Sequence, residues 1–218
     1  MLDKKDVEVP YLDRKINYLK IFALLEPENS RFPLEIGMTY FDKGMRLSGL
    51  QFTTVSLYRA EKYIASAVQL DPDSRDALYN LGEISYILGK YDQAKQLWRR
   101  VIETGLDESV AEKLDKRLQR IEQGLLSHVP AVDYLEVVAT AFGLHQQGED
   151  EEASALLLDV LEDSVFTAEF PIPEIWYVLG LCYRNMGMPK YAEDYLKEAL
   201  SLDPDHADAR RALEDLNA

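Results

Sequence analysis

Several things are scarce in this sequence, and each shortage excludes a class. Cys182 is the one cysteine among 218 residues, so an internal disulfide is impossible, as is a zinc site built from several thiolates. Eleven glycines and nine prolines are too few for a low-complexity chain or a many-turned β-sandwich, and long helices become the expectation. Positive charge is short too: 24 Lys and Arg face 39 Asp and Glu, a formal charge of −15. A surface so acidic repels nucleic-acid phosphates and anionic lipid, so no nucleic acid is expected as a partner. Nowhere do ~18 apolar residues run together, and the opening MLDKKDVEVPYLDRKINYLK holds no uncharged core of signal-peptide length. These shortages predict a soluble, cytoplasmic protein with no direct membrane insertion. The chain is long enough to bury its core without metal or disulfide support.

What the sequence does have is self-similarity. Trp176, Leu179, Gly180 and Tyr183 follow a W-x2-L-G-x2-Y order, and Gly187, Ala192, Leu196, Ala199 and Pro204 come after them. Residues 75–108 repeat the plan through Leu78, Leu81, Gly82, Gly89, Tyr91, Ala94, Trp98, Val101 and Ile102, with Ser85 in the tyrosine position and Leu106 in that of the proline. Residues 30–74 give Ile36, Gly37, Tyr40 and Gly44, then Ala60, Ile64, Ala67, Val68 and Pro72. This copy is about 11 residues longer than the period, an insertion placed within Met45 to Thr54. Residues 134–167 keep Ala141, Leu144, Gly148, Ala153, Leu157, Val160 and Leu161, while Leu12, Ile16, Leu19, Ala23 and Pro27 make an upstream half copy. The recurring alanines (60, 94, 153, 192) let two antiparallel helices approach to ~8–10 Å. The glycines at 37, 82 and 180 serve the same contact, and those at 44, 89, 148 and 187 sit where a first helix ends and turns.

This pattern resembles the tetratricopeptide repeat (TPR), a helix pair of 34 residues such as Pro173 to His206. The fold class implied is all-α: a right-handed α-α superhelix of TPR helix pairs with one inserted extra helix. A flexible N-terminus, 1–9, is expected before an N-terminal block, 10–108, made of a half repeat (10–29), repeat 30–74 with its insertion, and repeat 75–108. Residues 109–133 form the extra helix and a connector, marked by Val110, Leu114, Leu118, Ile121 and Leu125 on one stripe, with Gly124 and Pro130 at its end. A C-terminal block, 134–218, holds repeats 134–167 and 173–206, with five residues around Phe170 and Pro171 lengthening the connection between them, and ends in a capping helix, 207–218.

Candidate chemistry is thin. His145 and Glu149 have metal-ligand spacing, but Gly148 breaks the helix between them, and His128 and His206 fall in other segments. Asp203, Asp205 and Glu214 match positions 1, 3 and 12 of a calcium loop, yet Ala207 and Asp208 occupy positions that need an oxygen ligand and a glycine. The Asp-Pro-Asp runs at 71–73 and 203–205 instead read as helix stops that also cap the next helix. Glu149 to Glu152 suits a helix N-terminus, and Cys182 reads as a packed side chain. No phosphate loop, G-x-S-x-G or helical H-E-x-x-H occurs. Neither catalysis, cofactor nor metal is expected.

In the family, the first helices line a concave groove. The matching positions here include Met38 and Phe41, then Tyr79, Glu83 and Tyr86, then Phe142 and His145, then Tyr177, Leu181 and Arg184. Relatives that grip the acidic tails of heat-shock chaperones carry Lys, Asn and Arg at several of these points. Leu34, Met38, Tyr79 and Glu83 stand there instead, so that carboxylate clamp is absent. The resemblance implies a protein or peptide partner held by apolar anchors, in a scaffold, adaptor or chaperone-like role. Small acidic TPR chaperones of type III secretion look similar in size and charge but have three repeats. Self-association as a homo-oligomer, in a structural role, is the alternative.

Overall fold

The computed structural model describes residues 4–46, 53–105 and 108–216. Among these residues there are twelve helices and no strand. The chain divides into two compact units, Met1–Asp133 and Tyr134–Ala218. The insertion expected within Met45 to Thr54 falls mainly on residues 47–52, outside the described residues.

The first unit begins with α1 (Lys4–Leu25), which packs on α2 (Arg31–Met45). Residues 4–9 lie within the bounds of this helix. Pro10 lies within two turns of the start of α1, where it forfeits one helical hydrogen bond. Helix α2 pairs with α3 (Thr53–Leu70), and α4 (Arg75–Ile87) pairs with α5 (Tyr91–Glu103). The pairing follows from side-chain size. Ala60 and Ala94 are fully buried. A Cβ on Gly37 would collide with Ile64, and one on Gly82 with the indole of Trp98. Only glycine admits the second helix at these two points. Helix α6 (Glu108–Gln123) follows α5 and packs on it, burying Leu114 and Leu118.

The second unit takes up α7 (Ala131–Gln147) from Tyr134 onward, then α8 (Asp150–Glu162), α9 (Ser164–Glu169), α10 (Pro173–Asn185), α11 (Pro189–Leu202) and α12 (Ala207–Leu216). Gly148, at φ 84°, turns the chain between α7 and α8. Helix α10 packs on α8 and α11, and α11 on α12. Ala209 and Ala212 of α12 bury against Leu196 and Ala199, so α12 covers the end of the last pair.

Asp163 adds a short helix, and the caps of α4 and α12 differ from expectation. The second helix of repeat 134–167 ends at Glu162 because Asp163 leaves the helical region (φ −83°, ψ 91°). Its carboxylate accepts from the amides of Val165 (3.0 Å) and Phe166 (3.1 Å) and so starts α9. The Asp-Pro-Asp runs do turn the chain: Asp71 and Asp203 accept from the amides of Asp73 and Asp205. The caps of the helices that follow are different residues, Ser74 for α4 and His206 for α12, each accepting from the amide three residues on.

Candidate functional site

On the first helices, the ten positions expected to line a groove meet different surroundings. Met38 and Phe41 on α2 and Tyr79 on α4 are half-buried. Two residues expected beside them are occupied from within the chain. Tyr86 is 3% exposed, with its ring 5.4 Å from that of Trp98 and the Arg117 guanidinium 5.1 Å above it. Glu83 accepts from Arg117 at 2.5 Å and has the Lys113 ammonium at 3.7 Å. Arg117 and Lys113 both belong to α6. The helix read as an interruption therefore supplies charges that cover part of the α4 face, and Tyr86 is buried beneath them. The acid of Glu83 and the cation of Arg117 were both visible in sequence, but their pairing depends on where α6 docks.

In the second unit, Phe142 is half-buried and Arg184 exposed. Tyr177 and Leu181 pack partly against the cluster built by α11 and α12, and the Tyr177 ring stands 4.9 Å from that of His206. The final helix thus borders these two positions. A shallow apolar pocket of about 250 Å³ opens elsewhere in this unit, lined by residues that include Leu161, Phe170, Ile175, Trp176 and Leu202.

His145 has the most elaborate setting. Its Nδ1 lies 2.6 Å from Asp150 Oδ1 and 3.6 Å from Cys182 Sγ, while Asn185 donates to Asp150 Oδ2 at 2.9 Å. Burial disfavours the Asp150 carboxylate, but hydrogen bonds from His145, Asn185 and Cys182 outweigh it and hold the group below its ordinary value. Burial, then the neighbouring Asp150, push the Cys182 thiol up to about 12. A protonated, fully buried thiol is a poor nucleophile. A Cys–His–acid relay also needs its two partners on opposite ring nitrogens, and here both approach Nδ1. The expectation that Cys182 packs in the interior matches its burial. Its proximity to His145 was missed, because the two are 37 residues apart and on different helices.

A tetratricopeptide-repeat family model matches residues 173–206, and a second of the same description matches residues 59–107. These two segments are tetratricopeptide repeats. Similar solved structures include the P58(IPK) TPR domain, at 17% identity and TM-score 0.43, covering 98% of this chain and 52% of that one. The chain thus spans about half the length of that domain. A tetratricopeptide repeat protein from Parabacteroides merdae shows 16% identity and TM-score 0.44, over 97% of this chain and 80% of that one. YrrB, a TPR protein with an unusual peptide-binding site, shows 21% identity and TM-score 0.35, over 90% and 97%. No curated protein matches the chain. Its repeats mark this TPR chain as a protein–protein interaction module. No helix among the described residues is long and apolar enough to cross a membrane.

Proposed function

We propose that this TPR chain is a non-enzymatic adaptor that holds a partner segment by apolar anchors on the first helices of its repeats. One observation carries the reading: Met38, Phe41 and Tyr79 keep partly open apolar surface on α2 and α4. Desolvated aromatic anchors dominate such interfaces, and charges at the rim contribute little. A single buried thiol is compatible with the cytoplasm as its setting. Affinity capture with the full chain identifies the partner, and titration then tests the surface. Tyr79→Ala and Tyr177→Ala are each expected to weaken that partner about tenfold or more with helicity intact. Arg184→Ala costs less, and its effect shrinks at high salt. Parental affinity in both tyrosine variants would place the partner on another surface.

A second reading, self-association, has an observation of its own. Helix α1 buries Leu12 and Ile16 but leaves Tyr11, Tyr18, Ile21, Phe22, Leu24 and Leu25 exposed, Tyr18 at 64% and Leu25 at 72%. Tyr11, Tyr18, Phe22 and Leu25 recur at helical spacing as a second apolar stripe, and an apolar patch of this kind invites a partner. Sedimentation of the purified chain against Tyr18→Glu and Leu25→Glu separates the two readings. A concentration-dependent dimer lost in both variants supports self-association, and a monomer throughout eliminates it.

A further inference from the structure

His145 Nδ1, an Asp150 carboxylate oxygen and Cys182 Sγ all lie within 4.8 Å of one another. They come from the last turn of α7, the first residue of α8 and the middle of α10, and face one point. Among the described residues Asp150 has no lysine or arginine partner, and His145 alone supplies it with a cation when protonated. A carboxylate this buried relies on the hydrogen bonds and charge placed beside it, here those of His145 and Asn185. The convergence of acid and thiol on a single ring nitrogen, which defeats a proton relay, is the arrangement that a shared ion needs.

We propose that His145, Asp150 and Cys182 bind one divalent ion of the zinc class, with Asn185 orienting the carboxylate from behind. Tetrahedral zinc, with Zn–S of ~2.3 Å and Zn–N of ~2.0 Å, places sulfur and nitrogen about 3.5 Å apart. Cys182 Sγ and His145 Nδ1 are already 3.6 Å apart. The Nδ1–Oδ1 separation of 2.6 Å is a hydrogen bond and opens to about 3.3 Å when the ion replaces the proton. That is a small rotation of the Asp150 carboxylate. Thiolate and imidazole select zinc, cobalt or nickel over magnesium and calcium, whose preferred ligands are oxygens. The His145 and Asp150 side chains retain 18% and 11% of their exposure, so water completes the fourth position. Binding expels the thiol proton to solvent and moves the imidazole proton to Nε2, or expels that as well from an imidazolium. The ion then takes the place of the proton between Asp150 and the His145 ring and ties repeat 134–167 to repeat 173–206.

Cobalt(II) is the probe, added to the full chain after chelator treatment. The expected result is one ion per chain, with a near-ultraviolet thiolate-to-cobalt charge-transfer band that zinc displaces. Since Cys182 is the chain's one cysteine, that band has a single possible source even if a cysteine variant fails to fold. Absence of the band in the parent chain overturns the proposal. His145→Ala and Asp150→Asn are each expected to weaken cobalt about tenfold or more. A band whose affinity is indifferent to both changes also overturns it. Neither readout involves a protein partner, so its outcome is independent of the adaptor reading.

Discussion

Repeats 75–108 and 173–206 share a residue plan and place their bulk on opposite helices. In 173–206 the first helix carries Tyr183, whose ring sits 5.1 Å from Tyr195 and 5.5 Å from Tyr191, and the second helix meets Gly180 with Leu196. In 75–108 the matching first-helix residue is Ser85, which turns back to donate to the Leu81 carbonyl at 2.6 Å. The second helix meets Gly82 with Trp98, a fully buried indole. The pattern therefore conserves the helix-to-helix distance and a rough total volume, and leaves open which helix supplies it. The positions expected to line a groove diverge further. Tyr86 is closed off by Arg117, whereas Arg184, at the same repeat position, is exposed.

The largest expected effect breaks the volume comparison. Gly82→Ala drives a methyl into the rigid Trp98 ring and is expected to cost about 2–3 kcal/mol, while Gly180→Ala costs about 1 kcal/mol. The difference lies in the obstacle: the added Cβ would meet Leu196 Cγ at 2.7 Å, and a leucine can change rotamer. Urea midpoints of the two variants measure it. Equal losses would show that the indole yields as readily as the leucine.

Next comes the closed face. Arg117→Ala removes the 2.5 Å pair to Glu83 and the cation over Tyr86 and Trp98, leaving a half-buried acid with only the more distant Lys113. A loss of about 2 kcal/mol is expected, with a change in Trp98 fluorescence as α6 loosens. Arg184→Ala, on the exposed counterpart, is expected to stay within about 0.5 kcal/mol. If the two arginine variants melt alike, α6 is not held by this contact.

These cases also mark what could be read from sequence. Gly82, Ala94, Gly180 and Ala192 announce their helix pairs because close approach admits few side chains, and that requirement leaves a periodic signature. Capping depends on one local hydrogen bond at Ser74 and two at Asp163, a weaker signal than a period, and α9 carries no repeat motif. Arg117 lies on a helix with no repeat motif, so nothing periodic indicates that it reaches Glu83 and Tyr86. His145, Asp150 and Cys182 are each unremarkable alone, and their meeting follows from the register of α10 against α8. Long-range polar contacts of this kind are set by packing and have no period to betray them.

The smallest expected effect is an alkaline slope in the unit 134–218, measured in chelator. Burial and then Asp150 push Cys182 up to about 12 from an ordinary 9.0. Burial, and the Asp163 carboxylate that accepts the Tyr134 hydroxyl at 3.0 Å, push Tyr134 up to about 12 from 10.0. Both groups therefore keep their protons in the folded chain at pH values where the unfolded chain has released them. The folded state binds more protons, so stability is complete below pH 9 and falls as pH rises toward 12, at no more than about 1.4 kcal/mol per pH unit for each group. At pH 9.5 the loss is under about 1 kcal/mol, nearly all from the thiol. Cys182→Ala should flatten the urea-midpoint profile between pH 9 and 10, and Tyr134→Phe should flatten it above pH 10. Absolute stabilities of both variants will differ from the parent, so the slope is the quantity to compare. Parallel slopes in all three proteins would mean that neither proton is held by the fold.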